Sequence, residues 1–155
     1  MKKGFRPTPF AIAAALAAVL APLPARASLG QQVDSIEADR VEMQGTRRVL
    51  QGTGYVVHEL QSPTGTAVRE YVGTDGRVFA VAWQGPFIPN LRQLLGAYFE
   101  PFSRAAQAAH RPGHGPLVVA LPELVVESSG HMRAFVGRAY LRSLVPAGAA
   151  EEGIR

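Results

Sequence analysis

Tyr55-Val-Val-His-Glu-Leu60, Ser62-Pro-Thr-Gly65, Thr66-Ala-Val-Arg-Glu-Tyr-Val72, Gly73-Thr-Asp-Gly76 and Arg77-Val-Phe-Ala-Val-Ala-Trp83 form the stretch that decides the fold. Val, Tyr, Phe, Trp and Thr suit a pleated, half-buried surface. Each run is closed by Gly, Pro or Asp, which supply the backbone angles of a reversal. The stretch therefore predicts a three-stranded antiparallel meander. In the last strand Phe79, Val81 and Trp83 share one face and Val78, Ala80 and Ala82 the other, so both faces are apolar and this strand should be central. Its small Ala side would admit a close-packed helix. The first two strands alternate more polar residues, as strands nearer an edge do.

That helix is legible downstream. Asn90 with Gln93 has N-cap spacing, and Leu91, Leu94, Leu95, Tyr98, Phe99 and Phe102 recur at helical intervals. Pro101 should kink or break it before it resumes to about Ala109. After the connection His110-Arg-Pro-Gly-His-Gly-Pro116, residues 117–121 and 124–127 read as strand material. The turn Ser128-Ser-Gly-His131 then leads into Met132 to Leu141. Its alternation slips near Gly137, which suggests a bulge there. From Pro146 onward the chain reads as a flexible tail.

Upstream, Asp34 and Glu37 have the spacing of a capping box at the start of a short, partly exposed helix. Gly45 is its stop, and a polar linker follows through Gly54. Residues 1–27 have the build of a secretory signal: Lys2, Lys3 and Arg6, an apolar run, then Ala25-Arg26-Ala27 with cleavage expected before Ser28. The apolar run from Phe10 to Leu23 is shorter than the roughly 20 residues a bilayer span needs, so no stable membrane anchor is expected after cleavage. The expected organisation is a signal at 1–27, a helix and linker at 28–54, one α+β domain at 55–145 and a tail at 146–155. The architecture is an antiparallel sheet, a meander plus a C-terminal hairpin, with one main amphipathic helix packed on it and a short N-terminal helix.

Charge narrows the partners. Four of the 16 basic residues lie in the leader and none of the 12 acidic ones does, which leaves twelve of each in the mature chain. A formally neutral chain does not point to nucleic acid. With no Cys, an exported domain of this size is held by apolar packing or by a partner rather than by disulfides.

Ser28-Leu-Gly after the leader, Gly65-Thr-Ala-Val-Arg-Glu-Tyr-Val72, Val78-Phe-Ala-Val-Ala-Trp-Gln-Gly-Pro86, Leu94-Leu-Gly-Ala-Tyr-Phe99 and Gly130-His-Met-Arg-Ala-Phe-Val-Gly-Arg-Ala-Tyr-Leu141 together resemble an uncharacterised family of short exported proteins of Gram-negative bacteria. The resemblance covers nearly the whole mature chain. It implies a periplasmic or secreted single-domain protein and carries no catalytic residues.

The chemistry-bearing residues each have two readings. His58, His131, Asp75 and Ser129 are the ingredients of a hydrolase, although Ser128 and Ser129 sit in no nucleophile elbow and are more simply turn residues. His110 and His114 have metal-ligand spacing but are separated by Pro112 and Gly113, which favours a solvated loop. Arg69, Glu70, Glu127, Arg133 and Arg138 make either a charged ligand-binding face or cross-strand ion pairs. Trp83 is either an aromatic platform or core with its N–H satisfied. The candidate binding residues are thus His58, Arg69, Trp83, His131, Arg133 and Arg138, with no cofactor and no metal expected. The leading expectation is a non-enzymatic periplasmic interaction module that partners another exported protein. A small hydrolase using His58 or His131, and a carrier of a small apolar or anionic ligand between helix and sheet, are the alternatives.

Overall fold

A computed structural model describes residues 29–109, 115–149 and 153–155. The expected leader and the pair His110 and His114 lie outside the described residues. A turn of 3-10 helix, Val33–Ser35, leads into α1 (Ile36–Glu42). Strands β1 (Thr46–Gln51), β2 (Tyr55–Gln61), β3 (Ala67–Gly73) and β4 (Val78–Gly85) follow. Next come α2 (Leu91–Leu95) and α3 (Phe99–Ala108), then β5 (Leu117–Ala120), β6 (Leu124–His131) and β7 (Ala134–Leu141). The strands form one antiparallel sheet in the order β1-β2-β3-β4-β7-β6-β5.

The meander is present as β2, β3 and β4, and β4 is central with six consecutive buried residues, Val78 to Trp83. The C-terminal hairpin extends the sheet as expected, through β7 against β4. The sheet is larger than a meander plus a hairpin because the expected polar linker contains β1 and because β5 adds a further edge. All six residues of β1 are exposed, so no hydrophobic alternation marks it; its place is set by backbone pairing with β2.

Two apolar layers sandwich the sheet. One face carries Leu60, Val68, Val81, Trp83, Ala139, Leu141, Leu124 and Val126 under Ile36, Leu94, Leu95 and Phe102 of the helices. Burial of such large side chains contributes about 1.5–3 kcal/mol each before entropy is counted. The other face carries Val57, Tyr71, Phe79, Ala80, Ala82, Val125 and Tyr140 under Ile154, Leu144, Val145 and Ala149. The helices therefore cover the Val81 and Trp83 side rather than the Ala side. A register shift explains why Phe79 joins the Ala face. Tyr71 pairs with Ala80 and Val72 with Val78, which leaves Phe79 as the extra residue of a bulge. Gly137 is not a bulge, since β7 pairs with β6 residue for residue from Ala134 to Leu141.

Local boundaries differ in three further places. Asp34 does not cap α1: Ser35 is the N-cap residue, and its hydroxyl donates to the Gln32 carbonyl. The main helix breaks at Gly96 (φ 51°, ψ −120°), not at Pro101. Pro101 falls in the first turn of α3, where a backbone N–H has no intrahelical acceptor to lose. Asn90 does cap α2, accepting from the Gln93 N–H at 3.3 Å. Finally, the end of the expected flexible tail is docked, with Ile154 only 2% exposed.

Candidate functional site

The face opposite the helices holds the end of the chain as a ligand would be held. Ile154 enters the apolar cluster of Val57, Tyr71, Phe79 and Ala82. The Tyr71 hydroxyl donates to the Arg155 main-chain oxygen at 2.9 Å and accepts from the Arg155 N–H at 3.0 Å. Arg69 adds a guanidinium hydrogen bond to the same oxygen at 2.8 Å. Tyr71 is placed for this by ring contacts with Tyr55 and Phe79, at 5.9 and 6.0 Å from their neighbours' centroids. Burial pushes the Tyr71 phenol above its usual range, which keeps it a neutral donor.

Arg69 is oriented in turn by a charge ladder across three strands. Glu59 of β2 accepts from Arg69 of β3 and from Arg48 of β1, both at 2.7 Å. These guanidiniums hold the Glu59 carboxyl below the usual carboxylate range. The expected cross-strand pairing of Arg69 is therefore made with Glu59, since Glu70 lies on the other face of the sheet.

Beside the docked segment a groove of about 450 Å³ continues over β5, β6 and β7. Val118 (57% exposed), Val136 (45% exposed) and Ile154 supply apolar surface, while Ser129 and the Glu127–Arg138 pair, at 2.9 Å, supply polar groups. A groove of this size suits a few side chains of a peptide or a small ligand.

The six candidate residues do not converge. Arg138 lines the groove, and Arg69 stands on the same face beside Arg155. Trp83 is core on the helix face, 1% exposed, but its Nε1 has no hydrogen-bond partner among the described residues, contrary to the expected satisfaction of a buried indole. His131 and Arg133 lie exposed at the β6–β7 turn, where Arg133 takes φ 65° to close the hairpin. His58 is 5% exposed on the helix face, and its Nδ1 accepts from Arg47 Nε at 2.9 Å. Burial first, and the Arg47 charge second, lower the His58 pKa and keep the ring neutral.

The same helix face contains a cluster that local reading missed. Glu70, directly opposite His58 in the β2–β3 register, is 1% exposed and hydrogen-bonded to Asp39 of α1, also 1% exposed. Gln93 of α2 donates to Asp39 Oδ1. Burial pushes Asp39 up to about 6 against the opposing pull of its hydrogen bonds with Glu70 and Gln93, and burial followed by the Asp39 charge pushes Glu70 well above its ordinary value. The available signal was Glu70 alone in phase between Val68 and Val72, a carboxyl on an otherwise apolar strand face. Between helices and sheet the side chains Leu94, Leu95 and Phe102 are packed, so the groove is not where a helix–sheet carrier would keep its ligand.

Among the described residues no group of three or more His, Cys, Asp or Glu is placed to hold a metal, and no helix is long and apolar enough to cross a membrane. A family model described as a protein of unknown function, DUF2844, matches residues 25–154. No curated protein and no solved structure matches the chain.

Proposed function

We infer that this chain, which belongs to the DUF2844 family of proteins of unknown function, is an exported, non-enzymatic module that grips an extended segment of another exported protein. The binding surface is the sheet face opposite the helices. The observation that carries this reading is the seat of residues 154–155, an aliphatic side chain in an apolar pocket with main-chain groups gripped by Tyr71 and Arg69. The adjoining groove offers exposed apolar surface from Val118 and Val136 and a hydroxyl from Ser129. Continuity with the chain's own docked segment thus specifies the occupant: an extended peptide with an aliphatic side chain, held by main-chain hydrogen bonds. Support for export is the basic, apolar and Ala-x-Ala order of residues 1–27, with the family match starting at residue 25, close to the expected cleavage point.

Selection from a random display library, followed by titration of the recovered peptide into isotope-labelled protein, tests the reading. Shifts concentrated at Val118, Ser129 and Val136, and at least tenfold weaker binding by Val136→Glu, are expected. Peptides that shift only β1 and β2, or that bind Val136→Glu equally well, would remove the groove as the site.

A further inference from the structure

α1 is a helix of two turns with little apolar anchorage. Its buried residues are Ile36 and Asp39, so one of its two fixed points on the protein is a carboxyl group. That carboxyl meets Glu70 at the centre of the helix face, and α2 joins the same point through Gln93. Asp39 Oδ2 and Glu70 Oε1 are buried and find no hydrogen-bond donor among the described residues. Two acceptor oxygens can satisfy each other only through a proton held between them.

We propose that the Asp39–Glu70 contact is a proton-operated latch: a shared proton seats α1 on β3, and its loss as pH rises drives the carboxylates apart and lifts α1 from the sheet. The surroundings offer the ionised pair little relief. From α1, Glu42 adds like charge, while Arg40 is turned away to Glu37 and the Gly45 carbonyl. From α2, Gln93 is neutral and Arg92 is paired with Glu100. From β1, Arg47 favours ionised Glu70, but its Nε is engaged by His58 of β2, a neutral ring. From β4, the residue opposite Glu70 is Val81. Two like charges at contact in so dry a site cannot both persist, so either the proton stays or the helix leaves.

The sign follows from the direction of both shifts. A carboxyl whose folded pKa is raised contributes stability that is complete below its unfolded value, near 4, and is lost as pH rises through the folded one. For Asp39 that loss centres at about 6, and for Glu70 it extends higher. The pair therefore gives up the Asp39 proton at about 6 and holds the Glu70 proton to higher pH. What is uncovered is Ile36 and the part of the core it plugs, on the face opposite the groove, so the latch stands or falls independently of the peptide-binding reading.

Amide exchange of Ile36–Glu42, followed by mass spectrometry and corrected for the intrinsic pH dependence of exchange, tests the latch against α3 as internal reference. Protection of α1 relative to α3 should fall at least tenfold between pH 6 and pH 9 in the wild-type chain. Glu70→Gln retains a donor for Asp39 without the shared proton and should flatten that dependence. Asp39→Asn does the same from the other side, should the first variant not fold. Equal α1 protection at both pH values in the wild type, or an undiminished fall in the folded variant, would overturn the latch. So would a wild-type Glu70 carboxyl that titrates in the ordinary range by carbon-detected NMR.

Discussion

The indole of Trp83 lies over the backbone of Gly137, its partner across β4 and β7, so closely that a Cβ at residue 137 would sit among ring atoms Cζ2 and Cε2. The glycine is there because the ring takes the space a side chain would need. Gly137→Ala should therefore cost about 1–3 kcal/mol through overpacking, read as a lower urea midpoint with an unchanged slope. Gly115, around which a new Cβ meets open space, is the control, and Gly115→Ala should stay within about 0.5 kcal/mol of wild type. Equal midpoints for the two variants would refute the steric account.

The break in the main helix is set by Gly96 rather than Pro101. With φ 51° and ψ −120°, Gly96 occupies backbone space that an L side chain resists. Gly96→Ala should lower stability by about 1–3 kcal/mol. Pro101→Ala should change it by no more than about 0.5 kcal/mol and leave the helical circular-dichroism signal intact, because no intrahelical bond is gained in the first turn. A larger effect at Pro101 than at Gly96 would reverse this assignment.

Burial first, and the Arg47 charge second, hold His58 neutral. Arg47→Met removes the charge and the donor to Nδ1, so the His58 pKa should rise toward about 6.5, measurable from the imidazole carbon-bound protons by NMR. The linkage runs opposite to that of the Asp39–Glu70 pair. A depressed histidine pKa means the unfolded chain binds a proton that the folded chain refuses. Stability contributed by neutral His58 is present above about 6.5 and lost as pH falls below it. No movement of the His58 titration in Arg47→Met would exclude Arg47 as a cause.

Glu59 anchors the ladder that aims Arg69. Its folded pKa is depressed by Arg69 first and by Arg48 as well, so its contribution is present above the ordinary carboxylate value and lost as pH falls through the folded one. Glu59→Gln should cost about 0.2–1 kcal/mol at neutral pH, modest because Arg48 is well exposed. The variant should also lose less stability than wild type between pH 5 and pH 3 in denaturation series. Identical acid dependence in both chains would show that the ladder does not contribute to stability.

Much of the architecture was legible from local pattern, and particular residues show where legibility stopped. Val68, Val81 and Trp83, and the face Leu94, Leu95 and Phe102, announced their burial through period two and period three to four, and they form one core. β1 carried no such mark because both of its faces are exposed. The slipped alternation at Gly137 suggests a bulge from sequence, whereas its cause is the Trp83 ring on a neighbouring strand. Of the candidate site residues, Arg69 and Arg138 share a face and His58 and Trp83 lie on the other, a division that no spacing along the chain encodes.

By itself the amino-acid sequence determined an α+β chain, the β2–β4 meander with β4 at its centre, a capped helix after Asn90 and a hairpin at the end, because each of these depends on which face of one segment avoids water. Only the tertiary structure decided that Asp39 meets Glu70, that Gly137 shelters under Trp83 and that Ile154 returns to the sheet beside Tyr71. Those meetings depend on strand order and helix docking between distant segments. Hydrophobic period is a property of neighbours along the chain, and loop closure costs too little per added residue to single out one partner in advance.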